Sequence, residues 1–419
     1  VYIKAIKARG FDIMRGFLPA GITTQLSWHT NLRQAWDKLA LLRHHPLAEA
    51  REVANNILNN LTYLPKMLRS FRYLLFPFSL IYGGVVWLRN KMFDKNIFKS
   101  ATFNFPIICV GNIAVGGTGK TPMTEYLIRL LKNDFNTATL SRGYKRKTKG
   151  FAIADATSTA LEIGDEPMQF HIKFPSVTVA VGEARIEAIP QLLHDKDDTE
   201  VIILDDAFQH RTVNAGLNIV LTAYNNLYTR DLILPAGDLR DVKASMKRAD
   251  IIVVTKCNPS LTVKEKESII KEIAPLSHQS VFFTEIVYGI PYHLFKTSNA
   301  TITASTNILL ICGIANPRPL KNYLESKIHS YDMLRYPDHH IFNMDDLADI
   351  KKQFAKITSE NKVMITTEKD AVRLVKFEEV LKEFPVFVLP IEHAFLFKEE
   401  EKFNKLVLNF IQKFKRGVE

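Results

Sequence analysis

Cysteine is scarce: Cys109, Cys257 and Cys312 are the only three in 419 residues, far apart, each in or beside an apolar run. That spacing excludes a disulfide framework and a cysteine-held metal. It leaves small buried thiols, expected in a reduced, cytosolic-side setting. No arginine-rich repeat, RNP-type motif or zinc-finger spacing accompanies the net charge of +11, so no nucleic-acid partner is expected. The positive excess still favours anions, whether phosphorylated metabolites or an acidic membrane face. No repeat or low-complexity tract appears. Long apolar runs are also lacking. The best candidate, Tyr73 to Leu88 (YLLFPFSLIYGGVVWL), reaches only ~24 Å as a helix against a ~30 Å hydrocarbon core. Pro77 and the Gly83-Gly84 pair weaken it further as a straight span. Arg69, Arg72, Arg89 and Lys91 flank both ends, so charge sets no orientation. The expectation is a helix lying in or dipping into one leaflet, with a buried core helix as the plain alternative and a true span as the third.

The length points to two domains. Residues 1–66 have helical spacing in places but carry no apolar h-region and no nameable chemistry, and are read as an extension of unknown role, with Met67 the candidate start. Residues 67–95 hold the apolar helix. From Phe105 short apolar runs alternate with helical stretches: IICV at 107–110, TATL at 137–140, VTVAV at 177–181, VIIL at 201–204, NIVL at 218–221 and IIVV at 251–254. Each run leads into a loop rich in Gly, Asp, Ser or Arg. This predicts an α/β fold with a doubly wound parallel sheet over 96–280, its ligands beyond the carboxyl ends of the strands. The β-branched and aromatic texture of 281–306 reads as strands linking two lobes, and 307–419 as a second, smaller α/β lobe.

The strongest motif is Ala114-Val115-Gly116-Gly117-Thr118-Gly119-Lys120-Thr121, with a strand before it and a helix after it. Glycines let backbone N–H groups turn toward phosphate oxygens, and the helix N-terminus adds positive potential. This is a P-loop in which Ala114 replaces the usual first glycine; Lys120 would reach β- and γ-phosphates, and Thr121 would ligate Mg²⁺. A tight glycine turn without function leaves Lys120-Thr121 at a helix start unexplained. Asp205 and Asp206 end the run VIIL, where carboxylates could serve the Mg²⁺ site or merely cap a turn. Asp165 in GDEP could be catalytic or simply start a helix. Arg142 in SRGY and Arg240 in PAGDLR follow apolar runs and could stabilise phosphoryl charge or be surface residues. His339 and His340 in PDHH lack a third ligand at metal spacing; a histidine bonded to a carboxylate in a cleft is the better chemistry. Asn258 in VVTKCN stands where a guanine-reading aspartate would, which argues against GTP.

Taken in order, VGNIAVGGTGKTP, SRGYKR, GDEPMQ, VAVGEARIEAI, ILDDAFQHR, LILPAGDLRD, VVTK, CGIANP, PDHH and TTEKDAVRL resemble the tetraacyldisaccharide 4'-kinase family from about Met67 onward. The resemblance implies transfer of phosphate from ATP, with Mg²⁺, to the 4'-hydroxyl of a tetraacylated glucosamine disaccharide 1-phosphate in lipid A biosynthesis. It implies two α/β lobes on a two-stranded linker, an N-terminal membrane-dipping helix at the cytoplasmic face of the inner membrane, and no protein partner. By the same resemblance Asp165 is the catalytic aspartate, helped by His339 on lobe closure. Lys120 and Arg240 act on the phosphates, Asp205 and Asp206 serve Mg²⁺, and Arg142, Gln209 and His210 line the site. His340 receives no role. The alternative is a P-loop GTPase or metallochaperone-like NTPase acting as a conformational switch.

Overall fold

The computed structural model describes residues 72–144, 146–328 and 330–415; the expected extension at 1–66 lies outside them. From Leu75 onward the chain forms one unit built around two sheets. The larger has nine strands among the described residues, in the spatial order Ile391–Phe395, Ser280–Tyr288, Ile251–Thr255, Leu217–Ala223, Ile107–Asn112, Val201–Asp205, Thr137–Ser141, Thr178–Val181 and Ala152–Ile153. The inner pairs are parallel, and one antiparallel strand closes each edge. Alternate residues of each central strand enter opposite cores: Ile107 and Cys109 on one face, Ile108 and Val110 on the other. Burial on both faces is why these strands read as continuous apolar runs.

The smaller sheet runs Tyr292–His293, Val386–Leu389, Lys362–Thr367, Asn307–Cys312 and Tyr331–Arg335, and has cores of its own. The link between the sheets differs from the expected continuous segment 281–306. It consists of Ser280–Tyr288 going out and Ile391–Phe395 coming back, paired antiparallel from Thr284↔Phe395 to Tyr288↔Ile391. Residues 292–293 already belong to the smaller sheet. The second lobe also ends before residue 419. Helix Glu400–Lys415 places Phe403, Val407 and Ile411 in the core of the larger sheet. Phe403 sits edge-on to Tyr126 and Phe282 with centroids 5.7 and 5.4 Å away. Apolar texture identified the strands; it carried no information on a pairing partner a hundred residues away.

The apolar segment forms helix Phe76–Asp94. Pro77, expected to weaken it, lies in its first turn, where a missing N–H costs no hydrogen bond. Its inward stripe at helical spacing is largely polar. Ser79 accepts from the Ala236 amide at 2.9 Å, and Asn90 donates to Asp241 at 2.8 Å and to Ser245 at 3.1 Å. Phe78, Leu80, Ile81, Val85, Trp87 and Leu88 point away from the protein and are more than half exposed. A contiguous apolar face of this kind marks an interaction surface. Among the described residues no helix is long and apolar enough to cross a membrane.

Candidate active site

The central strand Ile107–Asn112 delivers the P-loop to the carboxyl edge of the sheet, and helix Lys120–Leu131 starts at Lys120. Gly116 and Gly119 hold φ of 101° and 92°, which side chains rarely adopt. Ala114 does not need such freedom. It bridges Leu239, while Val115 donates to the Asp238 carbonyl and Arg240 to that of Ile113, each at 2.8 Å. The start of the P-loop is thereby zipped to the PAGDLR loop, which fixes Arg240. The Arg240 guanidinium bonds both oxygens of Asp206 and reaches Asn112 Oδ1 at 2.6 Å. Gln209 donates to the same residue's carbonyl. Lys120 Nζ stands 3.7 Å from Asp206, and Thr121, half-buried, is the second residue of the helix.

The two carboxylates differ sharply. Asp205 is buried beside Asp206, and desolvation plus that neighbouring charge push its pKa up to about 7; Thr124 Oγ1 donates to it at 3.0 Å. Burial opposes ionisation of Asp206 too, but Lys120 and Arg240 outweigh it and its pKa is lowered. Burial pushes His210 down to about 4, aided by Arg185 and Arg142. Arg142 is exposed and lines an open cleft of about 610 Å³ with Arg146, Lys147 and Lys149. Lys256 of VVTK donates to the Gly117 carbonyl, a contact that needs no guanine.

Asp165 is the first residue of helix Asp165–Lys173, entered through Gly164 at φ 99°. His339, at φ 62°, comes from the second lobe and places Nδ1 2.9 Å from Asp165 Oδ2. Arg373 completes the group: Nε donates to Asp165 Oδ1 at 3.1 Å, Nη2 donates to Oδ2, and Nη2 lies 2.9 Å from His339 Nδ1. Burial alone would raise the Asp165 pKa; His339 and Arg373 outweigh it and bring it to about 2. Sequence reasoning assigned no role to Arg373, although it stands in TTEKDAVRL, on helix Glu368–Leu374 directly after a strand. An arginine in a motif at a strand's carboxyl end was the available signal. His340, which had no role, bonds Asp346 at 2.8 Å and stacks on Tyr336, holding its own loop against helix Met344–Lys356.

The family model described as Tetraacyldisaccharide-1-P 4'-kinase matches residues 71–412. The chain belongs to this kinase family. Among similar proteins, the tetraacyldisaccharide 4'-kinase of Bacteroides thetaiotaomicron is 44% identical over 353 residues, covering 81% of this chain and 93% of the relative. That of Flavobacterium psychrophilum is 45% identical over 341 residues, covering 81% and 96%. LpxK from Aquifex aeolicus, solved in complex with ATP, superposes with a TM-score of 0.64 at 28% identity over 81% of this chain and 99% of that one. Membership in a kinase family does not favour the switch-type GTPase alternative.

In this kinase the lobes meet along a charged seam. Helix Asp165–Lys173 faces helix Glu368–Leu374 through Asp165–Arg373, Glu166–Lys369 at 3.6 Å and Lys173–Glu368. Lys173 also bonds Glu125 of the P-loop helix at 2.5 Å, where Gln169 donates to the other carboxylate oxygen at 2.7 Å. Glu125 is fully buried and Glu368 nearly so; burial and the Glu125 charge push Glu368 up to about 7. Lys173 is thus the cation shared by two buried carboxylates, with Arg129 adding a longer contact to Glu125 at 3.5 Å. Lys173→Met should cost about 3–5 kcal/mol of stability, the range for breaking a buried ion pair, and adding Glu368→Gln should restore part of it. Urea titration checks both; a loss below about 1 kcal/mol would mean that the carboxylates need no counter-ion.

Proposed function

We propose that this chain transfers the γ-phosphoryl group of ATP to the 4'-hydroxyl of a tetraacylated glucosamine disaccharide 1-phosphate, a step of lipid A biosynthesis, at the cytoplasmic face of the inner membrane. The observation that carries this reading is the Asp165–His339 contact, which joins a carboxylate of the P-loop lobe to a base of the other lobe beside the phosphate-binding elements. Lys120 and the inward N–H groups of the P-loop bind the phosphates. Arg240, steered by Asp206, adds positive charge beside them. Asp165 accepts the proton of the attacking hydroxyl. Asp165 Oδ1 accepts from Arg373 Nε, and a carboxylate oxygen has a second lone pair, so the hydroxyl can donate there with Arg373 in place. Lobe contact also keeps water from competing with the acceptor.

Thr121, Asp205 and Asp206 would hold Mg²⁺. The donors are all oxygen, as a hard cation requires, and buried Asp205, disfavoured as an anion, gains from a cation beside it. Bound there, Mg²⁺ would neutralise charge on the β- and γ-phosphates. The exposed face of helix Phe76–Asp94 supports membrane contact, since a substrate with four acyl chains stays in the bilayer and its kinase must work at the surface. Arg89 and Lys91 add attraction to anionic lipid of ~1 kcal/mol per residue.

Wild type should move labelled γ-phosphate from ATP to detergent-dispersed disaccharide 1-phosphate, and Asp165→Ala should lose at least about 10²-fold of that rate. Label released only as free phosphate, whatever lipid is present, would overturn the kinase reading. With Arg373→Gln the acid limb of the pH–rate profile should move to higher pH, because the cation that holds Asp165 low is gone; an unmoved limb would exclude control of Asp165 by Arg373. Ile81→Asp and Val85→Asp should each weaken sedimentation with anionic vesicles roughly tenfold, and unchanged binding would place the membrane contact elsewhere.

A further inference from the structure

Three consecutive P-loop carbonyls are each bonded from outside the loop: Gly117 by Lys256 Nζ, Thr118 by Thr255 Oγ1 at 2.7 Å, and Gly119 by His393 Nε2 at 2.9 Å. In a trans peptide the N–H points opposite the C=O. Fixing these carbonyls outward therefore turns the amides of Thr118, Gly119 and Lys120 toward the phosphates. Thr255 ends the strand Ile251–Thr255 of the same lobe, and Lys256 follows it. His393 differs in origin, because it lies on Ile391–Phe395, the strand returning from the second lobe.

Its hydrogen bonding is fully specified. The Gly119 carbonyl can only accept, so Nε2 carries the proton; Nδ1 then accepts from the Thr284 hydroxyl at 2.9 Å, on the outgoing strand. Burial, with Arg129 and Lys256 nearby, pushes the imidazole down to about 4 despite the Gly119 contact, so it stays neutral and holds a single N–H at physiological pH. Gly119 itself packs on the ring: a Cβ there would lie 3.1 Å from two imidazole atoms. The same carbonyl accepts the first helical bond, from Met123 N at 3.2 Å, which leaves His393 its second lone pair.

We propose that His393, seated by Thr284, is a positioning residue for the nucleotide. It braces the last peptide of the P-loop from the two-stranded linker and so makes ATP affinity depend on the strands that carry the second lobe. The proposal rests on the reading of the P-loop as an ATP site. Two substitutions separate its contacts. His393→Gln keeps an N–H donor within reach of Gly119, whereas His393→Asn keeps the Thr284 partner and loses Gly119. ATP with Mg²⁺ is titrated calorimetrically into the full chain, with KM for ATP, kcat and thermal unfolding measured alongside. The expected result is about five- to tenfold weaker ATP binding for His393→Asn, the effect of one lost hydrogen bond, with KM rising in parallel, kcat changed by less than about twofold, and His393→Gln close to wild type. Equal ATP affinity in both variants and wild type overturns the brace and leaves the kinase reading intact, as does an equal weakening in both that follows their loss of thermal stability. Wild type that fails to bind ATP overturns the kinase reading itself. Where His393→Asn does not fold, Thr284→Val frees the ring to turn away, and ATP binding must weaken; unchanged binding overturns the proposal.

Discussion

Asp165 meets two basic groups from another lobe at the first turn of its helix, and the arrangement of the site depends on that meeting. The same helix presents Glu166, Gln169 and Lys173 along the seam, so one element carries both the proposed base and the contact between lobes. Contacts built from charge differ from apolar ones in a way that suits an enzyme with a cleft. Their desolvation cost nearly cancels their attraction, so they can separate and re-form without a large net change in free energy. An apolar seam of equal area would hold the lobes shut, and the acceptor would have to break it to enter.

The parts of this architecture that were legible in the sequence share one property: their signal is local. A strand buried on both faces reads as an apolar run, and a phosphate loop reads as glycines between strand and helix. The departure at Ala114 became intelligible only with its partner, because the bridge to Leu239 lies outside the motif. Arg373 and Asp165 are 208 positions apart, and no period or propensity connects them. Lys173 stands in the last turn of its helix, where a lysine is commonplace, and nothing local to it announces the two buried carboxylates that it bridges. The return strand at 391–395 escaped for the same reason, since its partner strand lies about a hundred residues earlier.

The apolar helix shows the usual pattern reversed, with its hydrogen-bonding residues turned to the protein and its large apolar ones turned out. Its contacts fall on the loop that carries Arg240: Tyr82 donates to the Arg240 carbonyl at 3.1 Å, and Asn90 bonds the adjacent Asp241. Arg211 also donates to the Asn90 carbonyl at 2.8 Å, and Arg89 to that of Gln209 at 3.1 Å. The helix is therefore bolted to the loops that carry Arg240 and Gln209, and the two cannot shift independently.

The route of the chain end has an implication for how the molecule is made. The edge strand Ile391–Phe395 and the covering helix Glu400–Lys415 complete the larger sheet, yet they are the last elements of the described chain to leave the ribosome. Until they emerge, Phe282 and the strand edge at Thr284 have no cover, and the glycine loop lacks one of its three outer supports. The second lobe, made of contiguous sequence between the two linker strands, has all its strands available earlier. Synthesis thus delivers the nucleotide lobe in two instalments, and its final closure is a pairing between distant segments, the slow kind of contact in folding.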